Sequence, residues 1–434
     1  MDISKIYDLF LGAGHGSGRI STDTRHLPQG CLFFALKGDH FDGNQFAAQA
    51  LEKGAAYAVV DDPAVATSDR VILVDNVLEA LQELARVHRK TFSFPVIALT
   101  GSNGKTTTKE LITCVLSARY RTVSTKGNLN NHIGVPLTIL SVDTDTTDML
   151  VVEMGANHEK EIALLCTIAQ PTHGLITNIG KAHLEGFGSL DGVKRAKGEL
   201  YDYLSKKKGT IFVNAANETL MELVSKRRAF GDIVFYNSES TAPNPIMIGQ
   251  TPFVTYSIGD LVVSTHLVGE YNFNNICAAL RIGAYFEVPE DQAHRAISDY
   301  TPDNNRSQIV QRNTNTILLD AYNANPSSMA AALENFSKMD AERKMVILGD
   351  MLELGNESKS EHELLGDLIA RGAFDVVLLF GKEIAHALRS LPKAYYFPDK
   401  FSLHNWIMDN PQQHTHVLVK GSRGMGLESV VNFL

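Results

Sequence analysis

The stretch Thr100-Gly-Ser-Asn-Gly-Lys-Thr-Thr-Thr108 collects the residues of this chain best suited to hold a polyphosphate. Gly101 and Gly104 let backbone N–H groups converge on an anion, with Ser102 and Asn103 between them. Lys105 reaches outer phosphates, the Thr106 hydroxyl is a ligand for Mg²⁺, and Thr107 continues into a helix whose first turn carries partial positive charge. The spacing departs from the general phosphate-loop pattern, which needs a glycine five residues before Gly104; position 99 is Leu. The alternative is a Gly/Ser turn carrying a surface lysine.

Other candidates follow apolar runs. Glu153 closes the run Met149–Met154. A carboxylate there is costly unless it faces water, a metal or a salt-bridge partner. His183 comes soon after Gly174–Ile179. A hydrogen-bonded structural histidine is the ordinary reading, and imidazole is not a preferred Mg²⁺ ligand. Asn272 and Asn275 flank a helix start, where an amide suits either the edge of adenine or an N-cap. Lys197 lies between Val193 and Leu200 on a helix with one apolar face, and pattern alone makes it a solvated cation.

The elements that must position these residues fall into three blocks over 434 residues, which suits two or three domains. Residues 1–80 carry short strand candidates at Cys31–Leu36, Ala56–Val60 and Val71–Val74. Residues 81–300 open with Val96–Thr100 and continue with strands at Met149–Met154, Gly174–Ile179 and Thr210–Val213. Leu111, Ile112, Val115 and Leu116 mark a helix between them. Residues 301–434 alternate strands (Thr316–Ala321, Met345–Leu348, Val376–Phe380, His416–Val419) with helices. One helix shows Met329, Leu333, Phe336 and Met339. Another carries Leu364, Leu365, Leu368 and Ile369 behind a capping box of Ser360 and Glu363. Alternation of this kind implies an α/β fold with mainly parallel sheets, whose ligands sit at the carboxyl ends of strands.

Composition excludes several classes. A net charge of −9 argues against a general nucleic-acid binder. Four scattered cysteines form no C-x-x-C pair and suit a reducing compartment. The N-terminus lacks a basic segment followed by a long apolar stretch, and no apolar run is long enough to span a bilayer. A soluble cytoplasmic protein without membrane insertion is expected.

Thr100–Thr107 resembles the ATP loop of Mur ligases and folylpolyglutamate synthases, and the resemblance to Mur ligases runs along nearly the whole chain. Ser21-Thr-Asp-Thr-Arg25, Gly30–Gly38 and Asp42-Gly43 resemble the UDP-binding domain. Asn128-Leu-Asn-Asn-His-Ile-Gly-Val-Pro136 resembles the Asn-rich loop, and Val152–Gly155 with Asn178–Glu185 the metal-site segments. Ala196-Lys-Gly-Glu199 resembles the lysine segment and Gly269–Asn275 the adenine segment. Asp320-Ala-Tyr-Asn-Ala-Asn-Pro-Ser-Ser-Met329 and Gly349-Asp-Met-Leu-Glu-Leu-Gly355 resemble the branch that adds a dipeptide; the Asp-Asn-Pro-Arg motif of the sibling that adds the third residue is absent.

The resemblance implies a three-domain ligase: a UDP-sugar domain at 1–80, an ATPase domain at 81–300 and a Rossmann-like domain at 301–434. It implies ATP-driven joining of D-alanyl-D-alanine to UDP-N-acetylmuramoyl-tripeptide in peptidoglycan synthesis, by a monomer using two Mg²⁺. Lys105, His183 and Lys197 would be catalytic. Gly101 to Thr107, Asn272, Asn275, Arg306 and Asp320 would bind ATP. Thr22, Asp23, Arg25, Asn128 and Asn131 would bind the UDP substrate, and Asn323, Asn325, Lys420 and Ser422 the peptide. Thr106, Glu153, His183 and Lys197 would hold the metals, with Lys197 carbamylated by CO₂. Three rivals stand beside this reading: a sibling ligase adding one amino acid, a folylpolyglutamate synthase, and a silent nucleotide-binding scaffold. The Ser21–Arg25 block opposes the folate option, and the intact Lys105, Thr106, Glu153, His183 and Lys197 oppose the scaffold.

Overall fold

The computed structural model describes residues 3–13, 18–238, 242, 244–249 and 252–434. The first sheet is short and parallel, in the order β1 (Ile20–Ser21), β2 (Leu32–Phe34), β3 (Tyr57–Val60), β4 (Val71–Leu73). Helices α1 (Ile3–Gly12) and α2 (Ala47–Glu52) belong to this part. Helix α3 (Val77–Arg89) starts on an Asn76 cap, and its Val77, Leu81 and Leu84 lie in one apolar core with Ile6 and Phe10 of α1 and with Val96 of the next sheet. The boundary expected at residue 80 therefore falls inside α3. A helix whose core runs on into the next sheet leaves no composition break for a sequence reading to find.

The central sheet has six parallel strands: β5 (Val96–Thr100), β6 (Thr122–Ser124), β7 (Met149–Glu153), β8 (His173–Ile176), β9 (Thr210–Asn214) and β10 (Asp232–Tyr236). Their spatial order is β10-β9-β8-β5-β7-β6. All five residues of β5 are buried, as expected for a strand covered on both faces. Val96 and Ala98 face the core shared with α5 (Gly134–Leu140), α6 (Glu161–Ala169), α7 (Leu184–Phe187), α8 (Leu190–Lys207) and α9 (Glu218–Ser225). Ile97 and Leu99 face the core of α4 (Lys105–Ser117), α10 (Tyr271–Tyr285) and α11 (Glu290–Asp299). The chain leaves β5 toward β7 and β6 on one side and later toward β8 on the other. The carboxyl end of β5 is therefore a topological switch point.

A three-stranded antiparallel sheet, β11 (Ile246–Gly249), β12 (Phe253–Ile258) and β13 (Leu261–Val268), covers part of that second core. It was not read from sequence: exposed Leu261 and Val262 blur the alternation that Val263, Thr265 and Leu267 carry. The C-terminal sheet runs β14 (Gln308–Arg312), β15 (Asn315–Asp320), β19 (Thr415–Lys420), β16 (Arg343–Gly349), β17 (Val376–Phe380), β18 (Tyr395–Phe397). Only the β14–β15 pair is antiparallel.

Helices α12 (Pro326–Lys338), α13 (Ser358–Arg371) and α14 (Lys400–Asp409) complete the last part. Helix α12 buries Met329, Leu333 and Phe336, as the spacing implies. The capping box expected at Ser360 and Glu363 does not form. Helix α13 begins two residues earlier, and the Ser360 hydroxyl donates back to Glu357 O at 2.9 Å; Leu364 and Leu368 are exposed, so Leu365 and Ile369 carry the buried face.

Candidate active site

The phosphate loop is shaped by two glycines and one neighbouring strand end. Gly101 has φ +151°, and a Cβ there would lie 1.9 Å from Thr177 Oγ1; Gly104 has φ +76°. Both conformations disfavour other residues. The strand expected to run to Ile179 stops at Ile176, because the next residues turn to hold this loop. Ser102 N donates to Asn178 O at 3.0 Å, Asn103 N to Asn178 Oδ1 at 3.0 Å, and Thr177 Oγ1 to Asn103 O at 2.7 Å. Ser102 Oγ donates to Gly180 O and accepts from Gly180 N. Lys105 Nζ folds onto Gly101 O at 2.7 Å and Ser102 O at 3.3 Å. Burial lowers its pKa, with Glu153 opposing and Arg306 adding to the shift.

Glu153 ends β7 at 1 % exposure. Its Oε2 accepts from Thr106 Oγ1 at 3.0 Å and its Oε1 from Asn130 Nδ2 at 2.8 Å. A buried carboxylate and a hydroxyl held face to face beside a lysine form a hard-oxygen pair that fits one Mg²⁺. His183, with φ +51°, caps the short turn Leu184–Phe187, and its Nδ1 meets the Glu353 carboxylate. That contact holds Glu353 below the ordinary carboxylate range.

Lys197 is not the solvated cation that pattern alone implies. It is 1 % exposed, its Nζ donates to Ala156 O at 3.2 Å, and it stands 5.2 Å from the centre of the Phe187 ring. The same ring lies edge-on to His183, 6.3 Å between centroids. Burial, and then the nearby Lys105 charge, bring the Lys197 pKa down to about 7 against the opposing pull of Glu161 and Glu199. Among the described residues no three His, Cys, Asp or Glu side chains converge as a ready metal cluster.

A cavity of about 680 Å³ joins this centre to the C-terminal sheet. Its walls include Ser102 to Thr107, Asn128, Asn131, Glu153, His183, Asn272, Asn275, Arg306, Asp320, Asn323, Asn325 and Lys420. Asn272 and Asn275 lie within the first turns of α10, and neither is its N-cap. Asn272 Nδ2 donates to Val268 O, Asn275 Nδ2 to Asn272 Oδ1, and Thr108 Oγ1 to Asn275 Oδ1. Lys420 Nζ donates to Asp320 Oδ2 at 2.5 Å, and Arg306 lies 3.6 Å over the Tyr322 ring. Asn325 caps α12 and donates to Asn103 Oδ1 at 2.8 Å, so the start of α12 touches the phosphate loop directly.

Some expected residues stand apart from the cavity walls. Gly101 and Lys197 lie just behind them. Ser422 is buried; its Oγ accepts from Leu352 N at 2.9 Å and ties two loops together. Asp23 grips Arg25 in an exposed local pair that draws the Asp23 pKa down to about 2, and neither they nor Thr22 reach the cavity. Sequence reasoning missed Asn130, Asn178, Tyr271, Tyr322, Glu353 and Arg423 as wall residues, although each lies in or beside a quoted segment.

Fold and site together define a nucleotide-dependent ligase architecture. The chain matches the Mur ligase family catalytic domain over residues 18–89, the Mur ligase middle domain over 99–283, and the Mur ligase glutamate ligase domain over 305–423. It belongs to the Mur ligase family. It is 36 % identical over 451 residues to the UDP-N-acetylmuramoyl-tripeptide–D-alanyl-D-alanine ligase of Escherichia coli, covering all of this chain and 98 % of that one. Among solved structures it is similar to MurF from Acinetobacter baumannii (TM-score 0.83, 31 % identity, 95 % and 92 % covered). It is also similar to the MurF ligase from Thermotoga maritima in complex with ADP (TM-score 0.83, 27 % identity, 98 % and 97 % covered).

Proposed function

We propose that this chain joins the amino group of D-alanyl-D-alanine to the carboxylate of UDP-N-acetylmuramoyl-tripeptide, driven by ATP, in peptidoglycan precursor synthesis. The observation that carries this reading is the single cavity in which the phosphate loop of the central sheet faces Arg306, Asp320, Asn323 and Lys420 of the C-terminal part. Full-length similarity to ligases of that name supports the choice of substrates. The tripeptide carboxylate attacks the γ-phosphorus and ADP leaves. The uncharged amine then attacks the acyl phosphate, an amide C–N bond forms, and inorganic phosphate departs with the electron pair of the broken C–O bond.

Phosphoryl transfer rests on positioning and charge. Lys105 swings from its own loop carbonyls to the outer phosphates. Arg306 serves the phosphates and Asp320 the ribose, while Asn272 and Asn275 face adenine. Thr106 and Glu153 would hold one Mg²⁺. His183 and a carbamate on Lys197 would hold a second, because a carbamate is the hard oxygen ligand that an imidazole is not. When bound, these ions neutralise phosphate charge. The buried Lys197 amine, uncharged above about pH 7, is the form that adds CO₂. Asn128 and Asn131 approach the muramoyl side, and Thr22, Asp23 and Arg25 take the distal UDP. Asn323, Asn325 and Lys420 receive the dipeptide, with Ser422 positioning their loop.

We assign the first domain to residues up to the turn after α3, the second from β5 to about residue 300, and the third beyond it. We propose that the protein acts as a cytoplasmic monomer. No described helix is long and apolar enough to cross a membrane, and the four cysteines are unpaired. Phosphate release measured with ATP, tripeptide and a panel of amines tests the function. D-alanyl-D-alanine should support turnover and single D-alanine should be poor; equal turnover with L-lysine or glutamate would overturn the assignment.

A further inference from the structure

Residues 300–307 join α11 to β14 and are the covalent connection between the central and C-terminal sheets at the nucleotide site. Their first half is fastened to the helix of the phosphate loop. Glu110, one turn beyond Lys105 on α4, accepts a hydrogen bond from Tyr300 Oη on Oε2 and two 3.0 Å contacts from Asn304 Nδ2, one on each carboxylate oxygen. Lys109 Nζ adds a charge 3.7 Å from Oε1. Their second half is fastened to the ribose-side residues. Ser307 N donates to Asp320 Oδ1 at 3.2 Å, and its hydroxyl meets Tyr271 Oη at 2.6 Å. Between these two clamps the backbone is held in a conformation that favours glycine, with φ +57° at Asn305 and +52° at Ser307, although neither is glycine. Arg306 stands between them and projects into the cavity over Tyr322, its Nε buried and without a hydrogen-bond partner.

We infer that Glu110 is a positioning residue for nucleotide binding: it fixes the linker to α4 and so sets where Arg306 stands relative to Lys105 and Thr106. This rests on the nucleotide site proposed above. A carboxylate with three incoming hydrogen bonds is more than a half-buried helix position needs, and the first turn of the same helix carries the phosphate contacts. Contacts that hold a strained linker in one geometry pre-organise the side chain it bears.

The test is a double-mutant cycle on the full chain, read as the dissociation constant of a non-hydrolysable ATP analogue by titration calorimetry, with Mg²⁺ present. Glu110→Ala should weaken binding by about tenfold, the scale of coupling between residues that share one network. In the Arg306→Ala background, the same substitution should add nothing. Glu110→Gln should keep affinity near the parent's, because its carbonyl accepts from Tyr300. Its amide also gives Asn304 Oδ1, now buried without a partner, a donor once the Asn304 amide turns over. Tyr300→Phe, which removes one hydroxyl, should show a smaller loss in the same direction and guards against misfolding of the alanine variant. Unchanged affinity in Glu110→Ala, or losses that multiply in the double variant, would overturn the inference and leave the nucleotide site standing. Failure of the parent protein to bind the analogue would overturn the site and the inference with it.

Discussion

At the scale of single residues, the proposed chemistry gathers on charged side chains taken out of water, Glu153 and Lys197 at 1 % exposure among them. Lys105 is the charge expected at the outer phosphates, where it acts most strongly as phosphate is transferred, and Lys105→Ala should lower kcat by about 10²–10³-fold, read by steady-state ADP release. Gly101→Ala forces a Cβ against Thr177 Oγ1 at a positive φ and should abolish nucleotide binding in the same calorimetric titration. Lys197 gives a prediction with a sign. Its pKa stands at about 7, below the ordinary lysine value, so the uncharged amine grows as pH rises through 7. With ¹³C-labelled bicarbonate, a carbamate carbon resonance should appear above pH 7, fade below it, and be absent from Lys197→Ala. That variant should lose most activity and regain part of it with short carboxylic acids. A Lys197→Ala enzyme with full activity would defeat the metal-ligand role. The phosphate loop and Glu153 were legible in sequence because their neighbours are distinctive. The burial of Lys197 was not, since a helical pattern with one apolar face says nothing about what packs on the lysine side. Glu353 was equally hidden: only the fold brings it to His183, 170 residues away.

At the scale of elements, the buried strands were readable because parallel sheets demand continuous apolar runs. Val96–Thr100 and Val376–Phe380 have the bounds expected of them, and the other interior strands differ by one to three residues at their ends. Edge strands such as β6, β10 and β18 were not read from sequence because they are short or half-exposed, although Ile233–Tyr236 and Tyr395–Phe397 carry strand-forming residues. Asn325 shows how one element serves two purposes. It caps α12 through Ser328 N at 2.9 Å and reaches Asn103 through its amide nitrogen. Asn325→Ala should cost about 1 kcal/mol of stability through the lost cap, seen as a lower urea midpoint. Asn325→Ser keeps a capping oxygen but cannot span to Asn103. It should hold the urea midpoint while lowering kcat/KM; a loss of stability with unchanged kinetics would show that the Asn103 contact carries no function.

At the scale of the whole molecule, the nucleotide site is divided between two parts whose junction has a small apolar contact, Leu184 and Val268 against the C-terminal core, and several polar ones: Asn325 with Asn103, Lys181 with Glu361 at 2.6 Å, and His183 with Glu353. Polar contacts of this kind permit relative motion of domains. Solution scattering should report a smaller radius of gyration when ATP analogue and tripeptide are both bound than in either binary state, and an identical profile in all states of an active sample would count against closure. Such closure would bring the carboxylate, the γ-phosphate and the amine into one sequence of steps. The most direct measurement of that sequence follows an oxygen atom. With tripeptide carrying ¹⁸O in its reacting carboxylate, the acyl phosphate route places one labelled oxygen in each inorganic phosphate released with the D-alanyl-D-alanine product. Mass analysis of that phosphate should find the label at the enrichment of the carboxylate; phosphate free of ¹⁸O, with the amide product formed, would contradict the mechanism.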